Sequence, residues 1–300
     1  MIQDFFQTRQ LNPDLATLLL TLLGAIERIS ATIIHESTGK SGTKNAYGEE
    51  QIAMDVEADR IMNEALRGCS LVGAYSSEEQ DGLQLTNPAG LYSVFHDPLD
   101  GSSLFDVNFS VGTIVGIYKG LDVLGRTPRE QLAAFYALYG PKTTLMLSFG
   151  EGVHEFLLTE RGWELVDDKI EMREGKAYFA PGNLRATAER QDYFELVSWY
   201  IKSKYTLRYS GGMVPDLNHV LKKGSGIFMY PGMPSAPQGK LRLMYECGPM
   251  AFLVEQAGGA SSNGRESVLD MKIESLTQKT PVFLGLSEEV ERATKALGHP

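Results

Sequence analysis

The sequence has few cysteines and little positive charge. Cys69 and Cys247 are its only cysteines and lie far apart in 300 residues, so we expect no disulfide framework and a reducing, cytoplasmic location. The 28 Lys and Arg residues face 38 Asp and Glu residues, which gives a net charge of −10. This balance argues against nucleic acid as a partner, because such binders need a basic face.

Long hydrophobic runs are also scarce. The longest, residues 15–34, contains Glu27 and Arg28, and its apolar residues recur at the i, i+3, i+4 spacing of a helix with one apolar face. Asn12 or Pro13 is suited to begin that helix. The pattern predicts a core helix, and we expect neither a membrane span nor a cleavable signal.

What the chain does have is a mixture of strand-like and helix-like segments. Alternating apolar runs predict a series of strands up to about residue 165, and a second set of strands and helices begins near residue 176. The order is not a plain βαβ alternation, so a simple doubly wound sheet is not expected. We predict a layered α and β protein with two domains, residues 1–170 and 171–300.

The most informative stretch is residues 97–103 (DPLDGSS), which follows the strand-like residues 91–95. Pro98 should end the strand there, and Gly101 allows a tight turn. Asp97, Asp100 and the carbonyl of Leu99 are oxygen ligands of the kind that Mg²⁺ prefers. In the same turn, the amides and hydroxyls of Gly101, Ser102 and Ser103 suit phosphate oxygens. An ordinary turn with no catalytic role has the same composition. On these residues alone, a metal and phosphate site and an ordinary turn are about equally well supported.

Further acids follow other predicted strands. Glu78 and Glu79 come after the strand-like residues 71–75, but neighbouring strand residues point to opposite faces, so this pair alone is more typical of a solvated turn. Glu246 ends the apolar, strand-like residues 241–245 and precedes a predicted helix. A carboxylate in such a half-buried place requires a partner.

One predicted helix carries acids that need no function. Asp55 and Asp59 share a face at i, i+4 spacing, and Glu49 and Glu50 lie where the helix should begin.

Cations and phenols are sparse, and several lie near glycine-rich turns in the second half. These are Arg208, Tyr209, Tyr230, Lys240 and Arg242. Arg binds phosphate through its planar fork and Lys binds it as a point charge. Taken singly, each is more typical of a surface residue.

Three stretches together resemble the class I fructose-1,6-bisphosphatase family. They are residues 77–79 (SEE), 97–103 (DPLDGSS) and 240–246 (KLRLMYE). The resemblance covers nearly the whole chain and implies a layered α-β-α-β-α sugar-phosphatase fold, with two sheets and helices between and outside them. Four other stretches, at residues 45–51, 139–143, 180–187 and 204–212, are more similar to the sedoheptulose-bisphosphatase branch of that family than to its fructose branch.

The resemblance also implies roles for individual residues. It implies two or three Mg²⁺ ions per subunit, which Mn²⁺ could replace, held by Glu78, Glu79, Asp97, Leu99, Asp100 and Glu246. It implies catalytic roles in activating water for Asp55, Glu79 and Glu49. It implies substrate binding by Gly101, Ser102, Ser103, Asn183, Arg185, Arg208, Tyr209, Gly212, Met213, Tyr230, Lys240 and Arg242, with Arg208 reaching in from a neighbouring subunit.

The implied activity is hydrolysis of the 1-phosphate of sedoheptulose 1,7-bisphosphate, in a homodimer or homotetramer. Two alternatives remain: a fructose or dual-specificity bisphosphatase, and a catalytically silent relative. Residues 38–45 lack the cysteine pair of the plastid enzymes of this branch, which favours the cytoplasm over a chloroplast.

Overall fold

The computed structural model describes residues 1–35, 40–44 and 50–298. Within them the helices are α1 (Ile2–Thr8), α2 (Pro13–Ile33), α3 (Ala53–Gly68), α4 (Ser102–Phe105), α5 (Gln191–Lys202), α6 (Met213–Lys223), α7 (Gly248–Gln256) and α8 (Ser287–Leu297). The strands are β1 (Lys40–Lys44), β2 (Glu50–Ile52), β3 (Val72–Ser77), β4 (Gln84–Leu85), β5 (Tyr92–Asp100), β6 (Val111–Lys119), β7 (Gln131–Tyr139), β8 (Thr143–Ser148), β9 (Val153–Thr159), β10 (Gly162–Ile170), β11 (Tyr178–Pro181), β12 (Thr206–Leu207), β13 (Ile227–Tyr230), β14 (Ala260–Ser262) and β15 (Val282–Gly285).

Two mixed sheets organise the molecule. The larger has eight strands in the order β10-β9-β8-β7-β6-β5-β3-β4, in which only β3 and β5 are parallel neighbours. The smaller has five strands in the order β12-β11-β13-β15-β14. A small antiparallel pair, β1 and β2, stands apart from both.

Helices fill the space on both sides of each sheet. A core of α2, α3 and one face of the large sheet contains Leu22 and Phe135. A second core, between the two sheets, includes α6 and α7 with Leu217 and Leu253. A third joins α5 and α8 to the outer face of the small sheet. The layers therefore run α-β-α-β-α, as predicted.

Helix α2 matches the predicted core helix. The side chain of Asn12 accepts hydrogen bonds from the backbone N–H of Asp14 and of Leu15, which satisfies two amides that the first turn leaves unpaired. By length and composition alone this helix could cross a membrane. Its apolar face, including Leu18 and Leu22, is packed against the protein core, so composition is weak evidence for a span.

The prediction that the central strand β5 ends at Pro98 is wrong. The strand continues to Asp100 by means of a bulge: Asp97 pairs with Ile114 and Asp100 with Gly112, so three steps on β5 oppose two on β6. The bulge places an extra residue between the two aspartates. The chain then turns at Gly101, whose φ of 82° is a left-handed conformation that favours glycine.

Among the helical segments that the sequence did not predict correctly, two lie beside the residues of the candidate site. Helix α6 was not predicted, since its first residues follow the glycine-rich turn at 210–212. The prediction of a strand at residues 241–245 is wrong, because Leu243–Cys247 form a π-helical turn that leads directly into α7. An apolar run of this length does not distinguish a buried strand from a buried helical turn.

Candidate active site

A cavity of about 830 Å³ collects residues from distant parts of the chain. It lies where β3 and β5 end and α6 begins. The predicted site residues that line it are Asp55, Glu78, Glu79, Asp97, Leu99, Asp100, Gly101, Ser102, Ser103, Asn183, Arg185, Tyr209, Gly212, Met213, Tyr230, Lys240, Arg242 and Glu246. Arg208 is not among the lining residues, and Glu49 lies outside the described part of the chain.

Three carboxylates meet at one side of this cavity. Glu78, Asp97 and Glu246 each place an oxygen within 4.8 Å of the others. Burial, and then the charge of Glu78, raises the pKa of both Asp97 and Glu246 well above its ordinary value. A divalent cation relieves such repulsion, and oxygen donors are what Mg²⁺ and Mn²⁺ take. The residues present therefore fit a divalent metal.

Arg242 supplies positive charge to the same group. It is 2% exposed, and its guanidinium forms an ion pair with Glu78. Its backbone N–H donates to the Glu246 carboxylate at 2.6 Å, a hydrogen bond within the segment that forms the π-helical turn. Through its guanidinium and its backbone N–H, Arg242 thus contacts two predicted metal ligands, while its predicted contact with substrate stays a prediction.

Asp100 lies outside the group of three carboxylates. Its oxygens accept the backbone N–H of Met213 at 3.3 Å and of Val214 at 2.7 Å, so it caps the start of α6. Burial raises its pKa to about 6, and the two amide hydrogen bonds oppose that rise. Asp100 therefore fastens the end of β5 to a helix of the second half of the chain.

Asp55 lines the cavity from the first turn of α3. It is 3% exposed and accepts the backbone N–H of Ile52 at 2.9 Å through one oxygen. Burial, with smaller contributions from Glu79 and Glu78, raises its pKa to about 7. A carboxyl group tuned to that range is able to exchange a proton near neutral pH.

Other cavity-lining residues are cationic, amide and phenolic. Arg185, Lys240, Asn183, Tyr209 and Tyr230 share this cavity with the carboxylates. Burial raises the pKa of the Tyr230 phenol, so it stays protonated and able to donate a hydrogen bond. Charged and neutral donors of this kind suit a phosphate or sugar hydroxyls.

Arg208 is directed to other partners. Its Nε lies 3.0 Å from Nε2 of His219, and its guanidinium lies over the ring of Tyr178, 5.4 Å from the centroid. Burial, with the charge of Arg208, lowers the pKa of His219 to about 4, so the imidazole is neutral beside the cation.

Sequence reasoning missed two features of the site. Lys279 lines the cavity because its backbone pairs with Arg242, a long-range contact that no local pattern reveals. Asp59 was assigned no role, although its spacing from Asp55 placed both on one face of α3. The structure buries Asp59 directly behind Glu78 and Glu79.

Comparison with known proteins assigns nearly the whole chain to one family. The family model for the N-terminal domain of fructose-1-6-bisphosphatase matches residues 1–168, and that for the C-terminal domain matches residues 172–298. The chain belongs to the fructose-1,6-bisphosphatase family.

Individual relatives carry two substrate names. The chain is 44% identical over 295 residues to the class 1 fructose-1,6-bisphosphatase of Trichlorobacter lovleyi, covering 96% of this chain and 92% of that protein. It is 43% identical over 301 residues to the chloroplastic sedoheptulose-1,7-bisphosphatase of Spinacia oleracea, covering 99% and 77%. Membership in this family of sugar-bisphosphate phosphatases therefore leaves the sugar open.

Solved structures of the family confirm the predicted fold. The holo form of Leishmania major fructose-1,6-bisphosphatase superposes with a TM-score of 0.89 at 29% identity, covering 97% of each chain. A Toxoplasma gondii protein, provisionally assigned as a sedoheptulose-1,7 bisphosphatase, superposes with a TM-score of 0.92 at 31% identity, covering 98% of this chain and 97% of that one.

Proposed function

We propose that this protein is a Mg²⁺-dependent bisphosphatase that hydrolyses the 1-phosphate of sedoheptulose 1,7-bisphosphate. The observation that supports the reaction class is the shared cavity. A group of three carboxylates, two buried and one half-buried, lines the same cavity as Ser102, Ser103 and cationic side chains. Carboxylates alone would bind a cation, and cations alone would bind an anion. Both together suit a phosphate ester that reacts with the help of metal.

The proposed metal ligands are the carboxylates and the one carbonyl that line the cavity near β3, β5 and the π-helical turn. They are Glu78, Glu79, Asp97, Leu99, Asp100 and Glu246. We propose two or three Mg²⁺ ions, with Mn²⁺ as a substitute. When bound, such ions supply electrostatic stabilisation of the phosphoryl group and activation of water.

The chain's own groups would handle the proton and the reacting phosphate. Asp55 Oδ1 would accept the proton of the attacking water, since burial keeps its pKa near neutrality, and Glu79 and Glu49 would assist. Ser102 and Ser103, with the backbone of Gly101, would hold the oxygens of the 1-phosphate.

The remaining residues would bind the sugar and the distal phosphate. Asn183, Arg185, Tyr209, Tyr230 and Lys240 would hold that phosphate, and binding it would orient the reacting end of the substrate. The backbone at Gly212 and Met213 would lie beside the sugar hydroxyls, with Arg242 near the metals.

Arg208 would complete the distal phosphate site from a neighbouring subunit, since in its own subunit it contacts His219. This arrangement requires a homodimer or homotetramer, with a mass of two or four times 33.0 kDa. We propose that residues 1–170 form the metal- and 1-phosphate-binding domain and residues 171–300 the domain for the rest of the substrate. We also propose a cytoplasmic location.

The choice of sugar rests on where the distinguishing segments lie. Residues 180–187 and 204–212 resemble the sedoheptulose branch, and they supply Asn183, Arg185 and Tyr209 to the cavity. The length of the substrate determines where its distal phosphate lies. Sequence similarity in the segments that would bind this phosphate therefore bears directly on which sugar fits. The alternative is fructose 1,6-bisphosphate as the preferred substrate, which the names of the bacterial relatives favour.

The test is phosphate release from both sugars. The purified protein is assayed on sedoheptulose 1,7-bisphosphate and fructose 1,6-bisphosphate, with Mg²⁺, with Mn²⁺ and with a chelator, beside Asp97→Asn as the inactive control. We expect metal-dependent release with a higher kcat/KM on the seven-carbon sugar. A higher value on the six-carbon sugar supports the alternative, and no metal-dependent release from either overturns the proposed reaction.

A further inference from the structure

Another buried carboxylate lies behind the cavity. Asp59, one turn after Asp55 on α3, is 7% exposed. One of its oxygens accepts the hydroxyl of Ser77 at 2.5 Å, and the other accepts the side-chain amides of Asn63 at 2.7 Å and Gln80 at 2.6 Å. It neither belongs to the group of three carboxylates nor lines the cavity.

The partners of Asp59 bracket two predicted metal ligands. Ser77 directly precedes Glu78, and Gln80 directly follows Glu79. The Ser77 oxygen, whose proton is directed to Asp59, accepts the backbone N–H of Glu79 at 3.2 Å. The residues at both ends of the acidic pair are thus bonded to one side chain on α3.

A carboxylate is the side chain that this place requires. All three partners donate, and an ionised Asp is the acceptor-only group that can receive all of them. An Asn at this position would turn an NH₂ group toward at least one of these donors. That donor would have to reorient or lose its hydrogen bond, and the charge that strengthens all three hydrogen bonds would be lost.

We infer that Asp59 is a positioning residue that holds the Glu78–Glu79 turn in the orientation in which its carboxylates face a divalent cation. Adjacent strand residues point to opposite faces, so two neighbouring acids serve one site only if the backbone is turned and kept turned. Asp59 fixes the turn through Ser77 and Gln80, while the backbone N–H of Glu78 donates to the carbonyl of His96 at 3.0 Å from β5. This inference rests on the proposed function, because it takes Glu78 and Glu79 as metal ligands.

The experiment measures Mg²⁺ binding without turnover. Isothermal titration of the protein, free of metal and substrate, is compared for wild type, Asp59→Asn and Ser77→Ala. Glu64→Gln is the matched control, because Glu64 is an exposed acid on the same helix. We expect Asp59→Asn to raise the Kd for Mg²⁺ at least about tenfold, as loss of a group that orients metal ligands typically does. Glu64→Gln should leave it within about twofold.

Two further readouts separate positioning from general destabilisation. At saturating Mg²⁺ the KM for substrate should change less than about twofold, since the distal phosphate site is intact. The double variant Asp59→Asn/Ser77→Ala should weaken Mg²⁺ binding no more than Asp59→Asn alone, because both act through one path. If Asp59→Asn does not fold, Ser77→Ala supplies the same comparison.

Each result has one meaning. Normal Mg²⁺ binding by wild type and by folded Asp59→Asn overturns this inference and leaves the proposed function standing. If the losses in Mg²⁺ affinity of the two single variants add up in the double variant, Asp59 does not act through Ser77. If wild type itself binds no Mg²⁺, the proposed function fails and this inference fails with it.

Discussion

The carboxylate of Asp100 accepts the backbone N–H of Val214 at 2.7 Å, across 114 residues of sequence. This bond joins the end of β5 to the start of α6, so an acid predicted as a metal ligand is also a structural link between the two halves of the chain. The proposed metal binding requires the charged form of Asp100, and burial opposes that form.

The first prediction concerns Asp100→Asn. The amide keeps the shape but loses the charge and turns an NH₂ group toward one of the two backbone N–H groups. We expect kcat to fall at least about a hundredfold, and the free energy of unfolding to fall by about 1–3 kcal/mol while the protein stays folded. Phosphate release at saturating Mg²⁺ and chemical denaturation measure the two effects. Near wild-type turnover would contradict the metal assignment.

The second prediction is a pH dependence of stability in the metal-free protein. The pKa values of Asp55 and Asp100 are raised to about 7 and about 6, and those of Asp97 and Glu246 are raised as well. The folded state then binds more protons than the unfolded state, so stability is greatest below about pH 4 for these groups and is lost as the pH rises through their folded pKa values.

We therefore expect the Tm of the metal-free protein to fall by at least about 5 °C between about pH 5 and about pH 8. Added Mg²⁺ should reduce this fall, because it stabilises the charged carboxylates. Asp97→Asn should flatten the profile without metal. Scanning calorimetry with and without a chelator makes the comparison, and a Tm that rises over this range would refute the prediction.

The third prediction separates the distal phosphate from the reacting one. Lys240→Ala and Arg208→Ala should each raise KM for a sugar bisphosphate by about ten- to a hundredfold, since a charge-assisted contact contributes roughly 1.5–3 kcal/mol. Lys202→Ala, an exposed cation at the end of α5, is the control. Equal effects on a substrate that lacks the second phosphate would show that these residues do not bind that phosphate.

The fourth prediction is that activity does not respond to thiol redox state. Cys69 and Cys247 are both buried and free, and burial raises the pKa of the Cys247 thiol well above its usual value, which keeps it in the unreactive form. We expect equal activity after dithiol reduction and after mild oxidation. A reversible tenfold change that Cys69→Ser abolishes would contradict this. Slow damage by a strong oxidant would not count.

The sequence predicted many of the helices and strands because periodicity is a local signal, whereas the five-layer arrangement was implied by the family resemblance. Helix α2 was recognisable from its apolar spacing and from Asn12, and the strands of the large sheet from their alternation. Helix α6 was not, because what fixes its start is the carboxylate of Asp100, which is remote in sequence. The π-helical turn at Leu243–Cys247 was predicted as a strand, because a short buried apolar run has the same sequence pattern in a strand and in a helical turn.

The acids of the candidate site were foreseen, but their arrangement was not. Short spacing and family likeness marked Glu78, Asp97 and Glu246, which the fold brings within 4.8 Å. Two contacts were not foreseen: the ion pair of Arg242 with Glu78, and the hydrogen bond of Ser77 to Asp59 beside the acidic turn. Both depend on side-chain packing between elements that are far apart in the chain. No local pattern carries such information.

The bulge in β5 makes the length of this segment as important as its composition. The extra residue between Asp97 and Asp100 sets both the direction of each carboxylate and the distance to α6. Removing or adding one residue there would reverse which face Asp100 occupies and break its link to Val214, whereas many side-chain exchanges nearby would leave both intact. Insertions and deletions should therefore be excluded from residues 97–101, while we expect the turn at residues 150–151, where both residues are exposed, to tolerate a change in length.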